Sequence, residues 1–142
     1  MDINAKGVML CMKAEARVML QNKRKLTSPY WTDERRAQIG SIVNFASVCG
    51  FVAMPNVMPY NAAKHAVMGM TRTAAIEYAG LGLRINAVCP GIVDTPFLKG
   101  IRATGVDESH PAFANPLGRL CYPEEIADAC VFLSSTQSSY IK

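Results

Sequence analysis

Two short β-rich runs flank one long helical stretch, and that order leaves few folds open to the chain. Ser41-Ile-Val-Asn-Phe-Ala-Ser47 and Arg84-Ile-Asn-Ala-Val-Cys89 have strand length and composition, ending at Gly50 and at Pro90-Gly91 respectively. Residues 59–79 between them read as a helix, closed by Gly80-Leu-Gly82. A strand, a helix and a strand in that order need a crossover, so the two strands run parallel. Parallel sheets are covered on both faces, and segments suited to that role lie on either side. Residues 2–22 carry apolar side chains at helical spacing, among them Val8, Met12, Ala16 and Met19, on a face wide enough for two neighbours. Residues 123–134 begin with Pro123 followed by Glu124 and Glu125, which suits a helix N-terminus. The fold class is α/β. Two strands make a marginal parallel sheet by themselves, so the apolar helices imply a larger sheet and the chain reads as part of a domain.

Composition narrows the function classes. The chain has 142 residues, half of them apolar and 18% charged, which is globular composition with enough length for one core. The net charge of +4 is modest, and much of the excess sits in Lys23, Arg24, Lys25, Arg35 and Arg36. Nucleic-acid binding would require a wider basic face with interleaved aromatics, so that stretch reads as a solvated loop. Five cysteines without C-x-x-C spacing, several inside apolar runs, fit a reducing compartment better than a disulfide framework. Met1 is followed at once by Asp2 and Asn4, with no signal-peptide pattern, and no apolar run is long enough to span a bilayer. A soluble cytoplasmic protein without membrane or nucleic-acid partners is expected.

The chemistry centres on Tyr60-Asn-Ala-Ala-Lys64. Residues four apart on a helix share a face, which puts the phenol and the ammonium one turn apart. An ammonium fixed beside a phenol favours the phenolate form, as a general acid/base requires. A Tyr–Lys pair of this spacing also recurs on ordinary exposed helices, so its context decides its meaning. Ser47 closes the first strand run, at the end where α/β sheets place their ligands. Pro90-Gly91-Ile92-Val-Asp-Thr95 leaves the second strand at the same edge.

Gly40-Ser-Ile-Val-Asn-Phe-Ala-Ser47-Val-Cys-Gly50, Tyr60-Asn-Ala-Ala-Lys64 and Arg84-Ile-Asn86-Ala-Val-Cys-Pro90-Gly91 together resemble the short-chain dehydrogenase/reductases, nearly position by position. The similarity extends upstream to Ile3-Asn4-Ala-Lys-Gly7 and downstream to Pro123-Glu-Glu-Ile-Ala127, leaving aside the loop 22–38. The resemblance implies a Rossmann-like three-layer fold with a parallel sheet and reversible hydride transfer between NAD(P)(H) and a small-molecule alcohol or ketone. It implies that Tyr60 is the catalytic acid/base and that Lys64 assists it and holds the nicotinamide ribose. Ser47 orients the substrate oxygen, and the backbone of Asn4 holds a water that links Lys64 to solvent. Pro90, Gly91, Ile92 and Thr95 match the turn that meets the nicotinamide and the cofactor phosphates, alongside Tyr60 and Lys64. Residues 96–118 match a substrate lid. The helices at 2–22 and 59–80 match those that pair across the family's dimer interface, so a homodimer or tetramer is expected of a complete fold.

The departures are as informative. The family's glycine-rich turn of the type T-G-x-x-x-G-x-G, where the pyrophosphate meets a helix N-terminus, has no counterpart here. Its N-N-A-G strand and the residue that discriminates NADP from NAD are also absent, so the cofactor is left as either one. The chain is expected to be an incomplete version of the fold, without the N-terminal βαβ cofactor half and the last strand. In isolation it is expected to bind NAD(P)H weakly or not at all. The competing expectation is a non-catalytic fragment that acts as an interaction module or needs a partner chain. His65 and His110 lack metal-ligand spacing to a cysteine or to a second histidine, so no metal is expected. Asp107, Ser109 and His110 are close in sequence, but the strand-turn-helix motif of a serine hydrolase is missing. Met54 and Met58 flank the catalytic helix, either lining a substrate pocket or filling core.

Overall fold

The structure is a computed structural model and describes residues 1–21, 38–102 and 115–142. Most of the loop 22–38 and the middle of the segment 96–118, with Asp107, Ser109 and His110, lie outside the described residues. A π-helical turn, Asp2–Gly7, leads into α1 (Val8–Gln21). Then follow β1 (Gly40–Phe45), α2 (Met58–Ala79), β2 (Leu83–Val88), α3 (Pro96–Arg102) and α4 (Pro123–Ser134). Single 3-10 turns stand at Val48–Gly50 and Thr136–Ser138.

β1 and β2 form a two-stranded parallel sheet in the register Gly40 to Leu83 through Phe45 to Val88. The link from α2 to β2 is tight because Gly82 adopts φ 85°, a left-handed conformation that costs glycine little. The Gly82 carbonyl then accepts the Ile39 N–H at 2.9 Å and starts the ladder.

Alternation along the strands sorts the side chains into two layers. Ile42 and Asn44 of β1 and Leu83 and Ile85 of β2 are buried, and Met12 and Ala16 of α1 with Ala74 of α2 join Ile42, Leu83 and Ile85 in one apolar cluster. A second cluster, Ala46, Val67 and Met68, continues it toward the strand ends. The opposite face meets α4 through polar side chains. Ser41 Oγ donates to the Leu133 carbonyl at 3.0 Å, and Asn86 Nδ2 to the Ile141 carbonyl at 3.0 Å. Helices therefore lie on both sides of the sheet, in three Rossmann-like layers.

Arg84 organises the polar side. Only 4% exposed, it donates from Nε to Gln38 Oε1 at 2.8 Å and from its terminal nitrogens to the carbonyls of Ser135 at 2.9 Å and Ile141 at 3.4 Å. Gln38 in turn donates to the Ser139 carbonyl at 3.0 Å. Burial lowers the Arg84 pKa, yet the guanidinium keeps its charge by filling its donors with uncharged acceptors. Arg84→Met preserves length but leaves Gln38 Oε1 without its donor, while the Ser135 and Ile141 carbonyls keep Ser138 and Asn86. The expected cost is about 2 kcal/mol, since orphaning buried polar groups costs roughly 1–3 kcal/mol. A lower urea midpoint with an unchanged slope would show it; an unchanged midpoint would mean that the C-terminal segment is held by other contacts.

Candidate active site at the strand ends

β1 ends at Phe45, and the chain then leaves the ladder in two steps. Ala46 N–H donates to the Val88 carbonyl at 2.9 Å and Val48 N–H to the Pro90 carbonyl at 3.0 Å. Ser47 lies between them in extended backbone, and its buried Oγ accepts the Cys49 N–H at 3.2 Å, capping the turn Val48–Gly50. That turn packs on α2. A Cβ at Gly50 would lie 2.8 Å from Met68 Cγ and 3.1 Å from the Lys64 carbonyl, so this approach requires glycine.

Lys64 is buried to 8% exposure, and its Nζ donates to the Phe45 carbonyl at 2.8 Å. The same ammonium lies 5.5 Å from the centre of the Tyr60 ring. Burial pushes the Lys64 ammonium below its ordinary pKa, and the neighbouring Cys49 and Cys89 thiols oppose that shift in part. Burial pushes the Cys89 thiol up, and its sulfur donates to Met68 Sδ at 3.4 Å. The N–H and C=O of a trans peptide point in opposite directions, and Ala46 N–H faces β2. The Phe45 carbonyl therefore faces away from β2, and Lys64 places its charge along the outer edge of β1.

Tyr60, Lys64, Ser47 and Pro90 are thus gathered at the C-terminal end of the sheet. Asn4 stands exposed in the π-helical turn, which packs against α2. Gly91 is exposed with open space where a Cβ would stand, Ile92 is half-buried, and Thr95 Oγ1 donates to the Val93 carbonyl at 3.4 Å. Cys121 N–H donates to the Ile92 carbonyl at 3.2 Å and Asp94 N–H to the Cys121 carbonyl at 2.8 Å, so the start of α4 is tied back to this turn.

The same geometry places the other residues singled out in the sequence. Met58 is 79% exposed and is not core filling, whereas Met54 takes the Cys49 thiol at 3.2 Å. His65 lies on the exposed helix surface, its Nδ1 2.9 Å from the Asn61 carbonyl. Among the described residues no group of His, Cys, Asp or Glu is placed to hold a metal, and no helix is long and apolar enough to cross a membrane. Asn44, not singled out from the sequence, donates from the core face of β1 to Thr71 Oγ1 of α2 at 2.9 Å. Its signal was a polar residue at the same strand parity as Ile42, which only a buried partner accommodates.

A parallel strand-helix-strand unit with its candidate site residues at the carboxyl ends of the strands defines an α/β protein of the Rossmann-like kind. Residues 1–142 match the family model described as enoyl-(acyl carrier protein) reductase. A short-chain dehydrogenase of Aspergillus ruber is 39% identical over 99% of this chain and 52% of its own. The 2,5-dichloro-2,5-cyclohexadiene-1,4-diol dehydrogenase of Sphingobium indicum is 41% identical over 99% of this chain and 51% of its own. Among solved structures, a protein assigned as a 2-deoxy-D-gluconate 3-dehydrogenase from Agrobacterium tumefaciens, with bound NADP, superposes with a TM-score of 0.81 at 33% identity, covering 99% of this chain and 52% of that one. The chain belongs to the short-chain dehydrogenase/reductase family. It spans about half the length of the relatives it matches.

Proposed function

We propose that the protein containing this chain transfers hydride reversibly between NADP or NAD and a small alcohol or ketone, with Tyr60, Lys64, Ser47 and Asn4 as its proton-handling group. The observation that carries this reading is the Lys64 ammonium, bonded to the Phe45 carbonyl and 5.5 Å from the Tyr60 ring, at the strand end that also carries Ser47. The nicotinamide cofactor would supply or accept the hydride. Tyr60 gives the proton to a carbonyl oxygen or takes it from an alcohol, and Lys64 keeps a positive charge beside that transfer. The Ser47 hydroxyl, which accepts the Cys49 N–H, retains its own proton to donate to the substrate oxygen. The Asn4 turn, packed on α2, lies where a water could relay protons to solvent.

The residues present fit the nicotinamide end of such a cofactor. Lys64 can turn from the Phe45 carbonyl to ribose hydroxyls, and the open side of Gly91 lets a ring approach the backbone of Gly91 and Ile92. Two structural neighbours hold NADP, which favours the phosphorylated form for this chain. The dichlorocyclohexadienediol relative suggests a cyclic diol as the first substrate to try.

Titration of the full-length protein that contains this chain with NADP+, followed by amide chemical shifts within the chain, tests the reading. Shifts confined to Tyr60, Lys64 and residues 90–95, weakened at least about tenfold in affinity by Lys64→Ala, are expected from loss of a charge-assisted hydrogen bond. Shifts elsewhere, or none at all, would overturn the assignment of this edge to the cofactor.

A further inference from the structure

The nicotinamide-side turn is not self-supporting, and what supports it lies beyond the residues proposed for chemistry. After Pro90, the backbone of Ile92, Val93 and Asp94 finds its partner in Cys121, through the two hydrogen bonds given above and a single parallel bridge from Val93 to Cys121. One residue is a narrow base for a functional turn. Cys121 must itself be fixed.

The flanking residues do this. Arg119 forms a two-pronged pair with Glu125, NH2 to Oε1 at 2.6 Å and NH1 to Oε2 at 2.8 Å. Its guanidinium also lies 5.3 Å from the centre of the Tyr122 ring, and NH1 donates to the Leu120 carbonyl at 3.0 Å. Glu125 Oε2 accepts the Tyr122 N–H at 2.8 Å, capping α4 from its third position. On the other side, Asn115 Nδ2 donates to the Arg119 carbonyl at 2.9 Å while its Oδ1 accepts the Leu117 N–H at 2.9 Å, and Gly118 makes the bend at φ 65°. Cys121 is therefore bracketed by an ion pair spanning it and by a braced turn before it.

Isolated ion pairs on a surface contribute little to stability, but a two-pronged arginine–carboxylate pair embedded in a network is the arrangement that does contribute. The Arg119 hydrogen bond first, and the Tyr122 N–H second, hold the Glu125 carboxyl down to about 2, so the pair stays ionised at neutral pH.

We propose that Arg119 and Glu125 are positioning residues for the turn at 90–95. They clamp Cys121 so that Ile92 and Asp94 are held at a fixed height over the end of β2. This rests on the reading of that turn as the cofactor's nicotinamide side, but the clamp is measurable without any cofactor. A positioning role differs from a general contribution to stability in where its loss appears.

The test is amide hydrogen exchange on the full-length protein that contains the chain, comparing Arg119→Ala and Glu125→Ala with the parent. The expected result is faster exchange at Asp94 and Cys121, by about tenfold or more, with the Ala46 and Val48 amides unchanged. Glu125→Gln keeps an acceptor for the Tyr122 N–H and is expected to restore part of the protection that Glu125→Ala loses. Unchanged exchange at Asp94 and Cys121 would overturn the proposal. So would an increase spread equally over Ala46, Val48 and the sheet, since that is the signature of a merely structural pair. A full-length parent that shows the clamp but no NADP+ shifts at residues 90–95 would overturn the cofactor reading and leave the clamp standing.

Discussion

In the full-length protein, Tyr60→Phe is expected to lower the proposed alcohol oxidation or ketone reduction by about 10²–10⁴-fold, the usual contribution of one positioned acid/base. The substitution is narrow. The phenyl ring remains for the Lys64 ammonium, 5.5 Å from its centre, and Lys64 keeps its 2.8 Å bond to the Phe45 carbonyl. Packing and charge are therefore preserved while the exchangeable proton is removed. The loss is expected in kcat, with cofactor affinity changed by less than about tenfold, since at most one hydrogen bond to the cofactor is removed. Stopped-flow measurement of nicotinamide absorbance, with a cyclic diol and its ketone as substrates, would read both directions. A rate within about tenfold of the parent would show that the proton passes through another group, because removing a true acid/base costs more than that. Ser47→Ala is a poorer probe of chemistry, because the hydroxyl also caps Val48–Gly50 and its loss disturbs the turn that Gly50 seats against α2.

The parallel pair, its crossover helix and the place of the candidate residues at the strand ends were legible because each leaves a local pattern. Strand alternation places Ile42 with Asn44 and Leu83 with Ile85; helical spacing places Tyr60 over Lys64; Gly82 marks the left-handed stop. Boundaries shifted by a residue or two where tertiary bonds took over. The run 41–47 reads as one strand, yet the strand stops at Phe45 because Ser47 leaves the ladder to cap the following turn. The π-helical winding of Asp2–Gly7 had no signature, since Asp2, Asn4 and Gly7 are equally suited to the start of an ordinary helix. Three further features were hidden for a common reason. Lys64 bonds the Phe45 carbonyl, Arg84 bonds the carbonyls of Ser135 and Ile141, and Ile92 and Asp94 pair with Cys121. Each has a main-chain partner, and every residue type carries the same main chain, so sequence gives no hint of the contact. Arg119 and Glu125 showed only half their role: a glutamate in the first turn of α4 suits any helix start, while its arginine partner precedes that helix across an irregular turn.

Leu83→Ala is expected to destabilise the fold by about 4 kcal/mol, within the 2–5 kcal/mol that buried leucine truncations cost. Leu83 is fully buried at the start of β2, in the cluster with Met12, Ala16, Ile42, Ala74 and Ile85. Its partner across the ladder is Gly40, which has no side chain to move into the space left behind. Met19 is the neighbour able to relax: its sulfur lies over Gly40, and a thioether adapts to irregular gaps more readily than a branched side chain. That relaxation sets the expectation below the upper limit. Ile76, on the outer face of α2 and 81% exposed, is the internal control, and Ile76→Ala is expected to change stability by no more than about 0.5 kcal/mol. The contrast matters because the two residues are similar in volume and hydrophobicity and differ in burial. Urea unfolding monitored by circular dichroism would give both values. A cost for Leu83→Ala below about 1 kcal/mol would mean that this cluster is loosely packed, because a well-packed site does not lose a buried leucine so cheaply. In that case the parallel sheet would have to take its stability from elements outside the described residues.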